Sequence, residues 1–268
     1  MNNNNKCLIS IITINFNDLN GLRRTLESVK EQTFNDYEHI IIDGGSTDGS
    51  ADVIKEFLND EKYSKHVSYW CSEKDNGIYN AMNKGIEHAK GKYIYMLNSG
   101  DLVEQYALEY ASKYLYENTN KILYGAVDGF DGNTYKGTFS HSADELNQVM
   151  IPHQATFVPL DIHKKYGLYN EIFKIVADRE LMVRFKKAGV EFIHIPVIVC
   201  KYNFDGISSR NSKLIKIENQ KITNSHYSKK KIIFLKIRHC IKISLDFILP
   251  GFLSILISKI ANSIKKKV

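Results

Sequence analysis

An α/β fold, with a mostly parallel central sheet flanked by helices, is what this 268-residue chain predicts. Three observations lead there. Short β-branched runs alternate with segments of helical period from residue 8 to residue 97. Each run gives way to a loop of Gly, Asn, Asp and Ser, the punctuation of α/β turns. Carboxylates fall at the ends of these runs, where open α/β sheets bind ligands.

Residues 8–14, Leu-Ile-Ser-Ile-Ile-Thr-Ile, read as a buried strand. Asp18 or Asn20 can cap the next helix, whose Leu22, Leu26 and Val29 share one face. A second strand is expected at 37–42 and its helix at 49–58, joined by Asp43-Gly44-Gly45-Ser46-Thr47-Asp48. The two glycines allow close backbone approach, and Ser46 or Asp48 can cap that helix. A third strand near 67–71 leads through Ser72-Glu73-Lys74-Asp75-Asn76-Gly77 into a helix. That helix turns Ile78, Ala81, Met82, Ile86 and Ala89 inward and stops at Gly91. A fourth strand, Tyr93 to Leu97, runs into Asn98-Ser99-Gly100-Asp101. Beyond it the pattern predicts a helix near 102–116, a strand at 121–127 and a Gly-rich turn region to 138. A strand at 154–159, a helix at 178–188 and strand-like runs at 190–195 and 197–202 complete it.

Apolar residues make up 43% of the chain, enough for one large domain or one domain with an appendage. Cys7, Cys71, Cys200 and Cys240 form no CxxC pair and no metal-ligand spacing, so they read as reduced thiols. Four asparagines and Lys6 follow Met1 in place of an apolar signal stretch, and the expectation is a cytoplasmic chain. Ten Lys or Arg against one acid, Asp246, make residues 229–268 +9 in a chain of net charge +6. The other 228 residues therefore carry −3, which argues against a nucleic-acid-binding core and for a tail with its own role.

Asp43, Asp75, Asp101 and Asp178 fall at loops or element ends, the first three after successive strands. Carboxylates gathered at one sheet edge repel unless a cation or hydrogen-bond donors offset them. Mg²⁺ or Mn²⁺, together with a diphosphate, suits such a site; each acid taken singly can equally cap a helix or face solvent.

Several motifs appear in a telling order: Ile-Ile-Thr-Ile-Asn (11–15), Asp-Gly-Gly-Ser-Thr-Asp-Gly (43–49) and Asp-Asn-Gly-Ile-Tyr-Asn-Ala-Met-Asn-Lys-Gly-Ile (75–86). Ala-Lys-Gly-Lys-Tyr-Ile (89–94), Leu-Asn-Ser-Gly-Asp (97–101), Pro-His-Gln-Ala-Thr-Phe (152–157) and Ala-Asp-Arg-Glu-Leu-Met-Val-Arg-Phe-Lys-Lys-Ala-Gly (177–189) follow. Over residues 7–210 the chain resembles family-2 glycosyltransferases, above all the small bacterial members of capsule, O-antigen and exopolysaccharide assembly.

The resemblance implies a GT-A fold and inverting transfer of a hexose or N-acetylhexosamine from a UDP-sugar donor. It assigns Thr13, Asn15 and Asp43 to the base, and Asp75 and Asn83 to the rest of the nucleoside pocket. Asp101 would hold the divalent metal, Mg²⁺ or Mn²⁺, that bridges the diphosphate, and Asp178 would deprotonate the acceptor hydroxyl. Asp178 also stands where it can merely cap its helix. Where the family usually has Asp, this chain has Asn98 and Gly100; Asn98 can still meet ribose or a metal-bound water, without charge. His153 can touch acceptor, donor phosphate or metal, or be structural. Asp205-Gly206-Ile207-Ser208 resembles the loop that folds over the diphosphate, with Ser208, Ser209 and Arg210 as phosphate contacts.

The expected organisation is a transferase domain over 1–210 and a basic, amphipathic helical tail over 211–268. Ile243 to Ser258 is 16 residues, interrupted by Asp246 and Pro250-Gly251, short of the roughly 20 needed to span a bilayer. Lysines interleaved with Ile, Leu and Phe fit a helix lying on the anionic inner face of the plasma membrane, or a pair packed on the catalytic domain. The expected partners are a UDP-sugar, a polyprenyl-diphosphate-linked glycan and that membrane surface; the sequence is silent on oligomeric state. Two rivals remain at this level: a non-catalytic nucleotide-sugar-binding subunit and a sugar nucleotidyltransferase. The second lacks its Gly-rich basic loop, since Asn15-Phe16-Asn17-Asp18 follows the first strand.

Overall fold

A computed structural model describes residues 6–146, 149–204 and 211–227. The chain divides into two compact units, Met1–Glu218 and Asn219–Val268. Of the second, residues 219–227 are described, and the rest of the basic segment lies outside the described residues.

Strands β1 (Ile9–Asn15), β2 (Tyr37–Asp43), β3 (Val67–Ser72) and β4 (Tyr93–Met96) alternate with α1 (Leu19–Lys30), α2 (Ser50–Leu58), α3 (Glu61–Ser64) and α4 (Ile78–His88). Then come β5 (Leu102–Val103), α5 (Ala107–Glu117), β6 (Ile122–Asp131), β7 (Thr134–Phe139) and β8 (Thr156–Pro159). Helices α6 (Leu160–Tyr166) and α7 (Ala177–Lys187), strand β9 (Phe192–Asn203) and helix α8 (Ser212–His226) complete the described elements.

The sheet runs β3-β2-β1-β4-β8-β6-β9-β5, with β7 paired to β6. Its first four strands are parallel. β8 then reverses, antiparallel to both β4 and β6. β6 and β9 are parallel to each other, and β5 lies antiparallel on β9. Parallel pairing thus holds through β4, where helices serve as crossovers, and the sheet is mixed beyond residue 101, with a short connection only at the β6–β7 hairpin.

Two readings of that second half change. The expected turn region up to 138 is a β-hairpin, β6 and β7 joined by Gly132-Asn133, with the Phe130 and Tyr135 rings edge to face at 5.6 Å. The runs at 190–195 and 197–202 are one strand, β9. Pro196, which cannot donate to a ladder, falls where the register against β6 shifts between Tyr124 and Ala126. The helix expected from 102 begins at Ala107, because Leu102 and Val103 pair with Cys200 and Lys201 first.

Helical period decides which faces are covered. Leu22, Leu26 and Val29 of α1, Val53, Ile54 and Phe57 of α2, and Leu108, Ala111 and Leu115 of α5 pack with Ile9, Ile11, Ile41, Tyr95 and Phe157 of the sheet. α4 covers the other face, its Gly85 against Ile12, whose side chain points away from that of Ile11.

One buried carboxylate locks the opposite edge of the sheet. Glu38 Oε1 accepts from Ser10 Oγ at 2.7 Å, from Lys90 N–H at 2.6 Å and from Gly91 N–H at 3.0 Å. Burial works against its charge, but the hydrogen bonds of Ser68, Ser10, Lys90 and Gly91 win and hold the carboxyl below its usual range. A depressed folded value stabilises above the unfolded one, near 4.3, and that contribution is lost as pH falls through the folded value. Glu38→Gln is expected to lower stability at pH 7 by about 1–3 kcal/mol. In thermal melts, the gap to wild type should close as pH falls below about 4.

Candidate active site

The strands β1, β2, β3 and β4 end on one edge, and each hands its next residues to that edge. Asp43 closes β2 with no exposed surface. Its Oδ1 accepts from Asn15 Nδ2 at 2.7 Å and Ser46 Oγ at 2.6 Å, and its Oδ2 from Ser46 N–H at 2.9 Å and Ser72 Oγ at 2.6 Å. Burial raises the cost of its charge, yet these donors outweigh it and keep the carboxyl below the ordinary range. Asn15 Oδ1, in the same cluster, is buried without a partner.

Gly44 lets this cluster meet the next loop. A Cβ there would lie 2.6 Å from Asp75 Oδ2 and 3.2 Å from the Phe16 ring. Asp75 is fixed by the Gly77 N–H, which donates to Oδ1 at 2.8 Å. Phe16 is 65% exposed beside these acids, an apolar face left open at the carboxyl edge. Of the two caps expected for α2, neither is its N-cap, which is Gly49. Ser46 serves Asp43, and Asp48 joins two helix starts by accepting from Leu19 N–H at 2.8 Å and Ser50 N–H at 3.0 Å.

α1 staples the 98–101 loop in place. Gly100 N–H donates to Thr25 Oγ1 at 3.0 Å, Thr25 Oγ1 approaches the Asp101 carbonyl at 2.8 Å, and Ser99 Oγ donates to Asp18 Oδ2 at 2.9 Å. Gly100 has φ +91°, a conformation that favours glycine. Asp101 is buried, and burial pushes its carboxyl up to about 7, against the nearby His153 and a hydrogen bond with Gln154.

Among the described residues, no three His, Cys, Asp or Glu side chains converge on a point that could hold an ion. Asp101 supplies one carboxylate, and Asn98 Oδ1 is a buried oxygen without a hydrogen-bond partner. That donor set fits a hard divalent ion that takes its other ligands from diphosphate and water.

Across the edge, His153 joins two distant segments. Its Nε2 lies 3.2 Å from Asn98 Nδ2, and its Nδ1 lies 3.3 Å from Asp178 Oδ2. Both His153 and Asp178 side chains are 16% exposed, so a solute can reach them while most of their water is excluded. Asp178 stands in the first turn of α7, where its Oδ1 accepts from Arg179 N–H at 2.8 Å. Tyr79 gives its one hydroxyl proton to the Ile175 carbonyl at 2.5 Å, leaving a 3.5 Å approach to Asp178 Oδ1.

The edge thus gathers Asn15, Asp43 and Asp75 at one end, and Asn98, His153 and Asp178 at the other. Thr13 lies inside the sheet instead, its hydroxyl 2.9 Å from Nε2 of His39, and both residues have no exposed surface. Asn83 is engaged elsewhere too. Its Oδ1 accepts from Tyr169 N–H at 2.9 Å, and its Nδ2 bonds to the Tyr169 carbonyl at 3.0 Å and to Glu171 Oε1 at 2.9 Å. Ser208 and Arg210 lie outside the described residues. Sequence reasoning passed over Phe16, Ser72 and Tyr79 and read Ser46 only as a helix cap. Phe16 carried a signal, an aromatic between two asparagines just past a strand.

Asp101 makes a testable conflict between stability and function. The unfolded chain ionises Asp near 3.9, whereas the folded protein holds the proton up to about 7. Stability from this group is therefore full below the unfolded value and is lost as pH rises through the folded one. Asp101→Asn should melt above wild type at pH 8, by on the order of 1–4 kcal/mol, with the advantage vanishing toward pH 4. Adding Mg²⁺ with UDP should raise the melting temperature of wild type more than that of the variant; an equal rise would remove Asp101 from the ion's ligands.

Residues 10–175 match the family model described as Glycosyl transferase family 2. An uncharacterised glycosyltransferase of Mycobacterium tuberculosis is 34% identical over 208 residues, which cover 75% of this chain and 77% of that protein. A PGL/p-HBAD biosynthesis glycosyltransferase of Mycobacterium bovis is 29% identical over 212 residues, 75% of this chain and 79% of its own. Among solved structures, S. aureus TarS 1-349 in complex with UDP-GlcNAc gives a TM-score of 0.61 at 13% identity, over 74% of this chain and 59% of that one. The same protein in complex with UDP gives 0.61 at 14%, over 81% and 69%. The chain spans about three-fifths of the TarS 1-349 structure it matches, and that likeness is one of fold. The chain belongs to glycosyl transferase family 2 and is a glycosyltransferase with the GT-A fold.

Proposed function

We propose that the protein moves one hexose or N-acetylhexosamine from a UDP-sugar to a lipid-linked glycan in bacterial surface polysaccharide synthesis, with inversion at the anomeric carbon. The observation that carries this reading is the His153 bridge, which joins the loop after β4 to Asp178 on α7. A donor diphosphate at the first and an acceptor hydroxyl at the second would face each other across the sugar. The TarS complexes with UDP and UDP-GlcNAc support the choice of nucleotide.

In this reading the nucleoside lies over Asn15, Asp43 and Asp75, with its base stacked on exposed Phe16, since every nucleobase offers a π-face. Thr13 supports that floor from within the sheet, and Asn83 shapes the site through the 169–171 segment. Asp101 and Asn98 hold the divalent ion, which when bound would offset charge on the departing diphosphate. Ser208 and Arg210 stay with the diphosphate in this proposal, and the basic tail with the inner membrane surface. No described helix is long and apolar enough to cross a membrane.

Asp178 accepts the proton of the acceptor hydroxyl, whose oxygen lone pair forms the bond to the anomeric carbon. The bond from that carbon to the diphosphate oxygen breaks, and its electron pair leaves with UDP. His153 orients the base. With Asn98 Nδ2 donating to Nε2, the ring proton sits on Nδ1 and points at Asp178 Oδ2.

A panel of nucleotide sugars, tested with Mg²⁺, Mn²⁺ or EDTA and with a lipid-linked acceptor extract, checks the proposal. Turnover of a UDP-sugar that is lost on chelation and in Asp178→Asn is the expected result. Asp178→Asn should cut kcat by about 10²–10⁴-fold while binding UDP normally. UDP binding without turnover on any acceptor would point to a binding subunit instead. Phe16→Ala should weaken UDP binding by about 1–3 kcal/mol in calorimetry and leave kcat at saturating donor unchanged.

A further inference from the structure

Three successive backbone N–H groups just ahead of α7 converge on one carboxylate from α8. Glu218 Oε1 accepts from Lys174 N–H at 2.7 Å, and Oε2 accepts from Ile175 N–H at 3.0 Å and Val176 N–H at 3.2 Å. Consecutive N–H groups curled about an anion form a nest, and the positive end of the α7 dipole adds to the attraction. The N-cap position of α7 is Val176, whose side chain has no oxygen to serve these donors. Glu218 is 3% exposed, and a carboxylate so deeply buried is tolerated only when it is well hydrogen-bonded.

The same segment is gripped from the other side by α4. Tyr79 donates to the Ile175 carbonyl, Asn83 bonds the Tyr169 backbone in both directions, and Asn80 and Asn83 both reach the Glu171 carboxylate. The peptide units leading into Asp178 are therefore held at their N–H groups by Glu218 of α8 and at the Ile175 carbonyl by the Tyr79 hydroxyl of α4. Only two residues lie between Ile175 and Asp178, too few to absorb movement of that clamp.

We propose that Glu218 is a positioning residue for Asp178: its carboxylate fixes residues 174–176 and thereby sets where the base meets the acceptor hydroxyl. The proposal rests on the reading of Asp178 as the base. A general base displaced by about 1 Å can lose 10²-fold in rate, so the clamp has kinetic consequences out of proportion to its bonds. It also makes the first half of α8 part of the transferase machinery, although residues from 211 onward look in sequence like the start of a tail.

Glu218→Gln keeps one acceptor oxygen and loses at least one of the three bonds, whereas Glu218→Ala loses all of them. The full chain of each variant would be compared with wild type and Asp178→Asn by amide hydrogen exchange, by UDP affinity, and by turnover of whichever panel donor wild type uses. The expected result is faster exchange confined to residues 174–178, UDP affinity within about twofold of wild type, and a graded loss of kcat reaching about 10²-fold in Glu218→Ala. Wild-type kcat in both Glu218 variants, with Asp178→Asn inactive, would overturn the proposal while leaving the base reading intact. Exchange accelerated throughout the chain, in step with the loss of kcat in both variants, would overturn it as well, since Glu218 would then be a general stabiliser. An active Asp178→Asn would sink the base reading itself, and local exchange would still report whether Glu218 holds the clamp.

Discussion

β8 pairs antiparallel with β4, Tyr95 opposite Phe157, and this reversal delivers residues 153–155 to the edge where β1, β2 and β4 end. In a parallel sheet the residues before a strand emerge at the edge opposite those after its neighbour. Had β8 been parallel, its four residues would have carried His153 roughly 13 Å to the wrong side. Asn98 follows its strand and His153 precedes its own, yet they meet at 3.2 Å. The bridge onward to Asp178 depends on the same reversal, and so does any chemistry that needs the two ends of the site together.

Three of the acids at this edge occupy different electrostatic situations. Asp43 is buried among four donors and keeps its charge as part of the sheet's own hydrogen bonding. Asp101 is buried with little to offset the charge and holds its proton toward neutrality, so ionising it calls for a cation. Asp178 keeps access to solvent and is held by a backbone N–H and an imidazole. One residue type is thus a fixed anion, a buried acid held near neutrality and a partly buried carboxylate, and its environment alone makes the difference.

Much of this was legible in the chain. The motifs at 43–49, 72–77 and 97–101 correctly marked loops on one edge, because a β-branched run followed by Gly, Asn and Asp is a local instruction for strand and turn. Reading failed where the deciding contact was distant. Gly129, Gly132 and Gly137 looked like turn chemistry, yet cross-strand pairing made a hairpin of all but the two residues at its tip. The break at Pro196 looked like the end of a strand, but β6 tolerates it through a register shift. Thr13 and Asn83 lie on the expected elements, and the packing adds their hydrogen bonds to His39 and Tyr169.

By itself, the sequence determined the alternation of elements, the faces each helix buries and the loops in which the acids lie. These follow from period, propensity and turn residues, all of which act over a few positions. Only the tertiary structure decided the sense of β8, the partners of each carboxylate and the grip of Glu218 on the residues before Asp178. Those contacts join positions 25 to 55 apart in the chain, as at Asp43 with Ser72, Asp178 with His153, Glu218 with Val176, and Asn98 with His153. No local preference encodes them, because each exists only when separate elements have packed and their buried polar atoms have had to find partners.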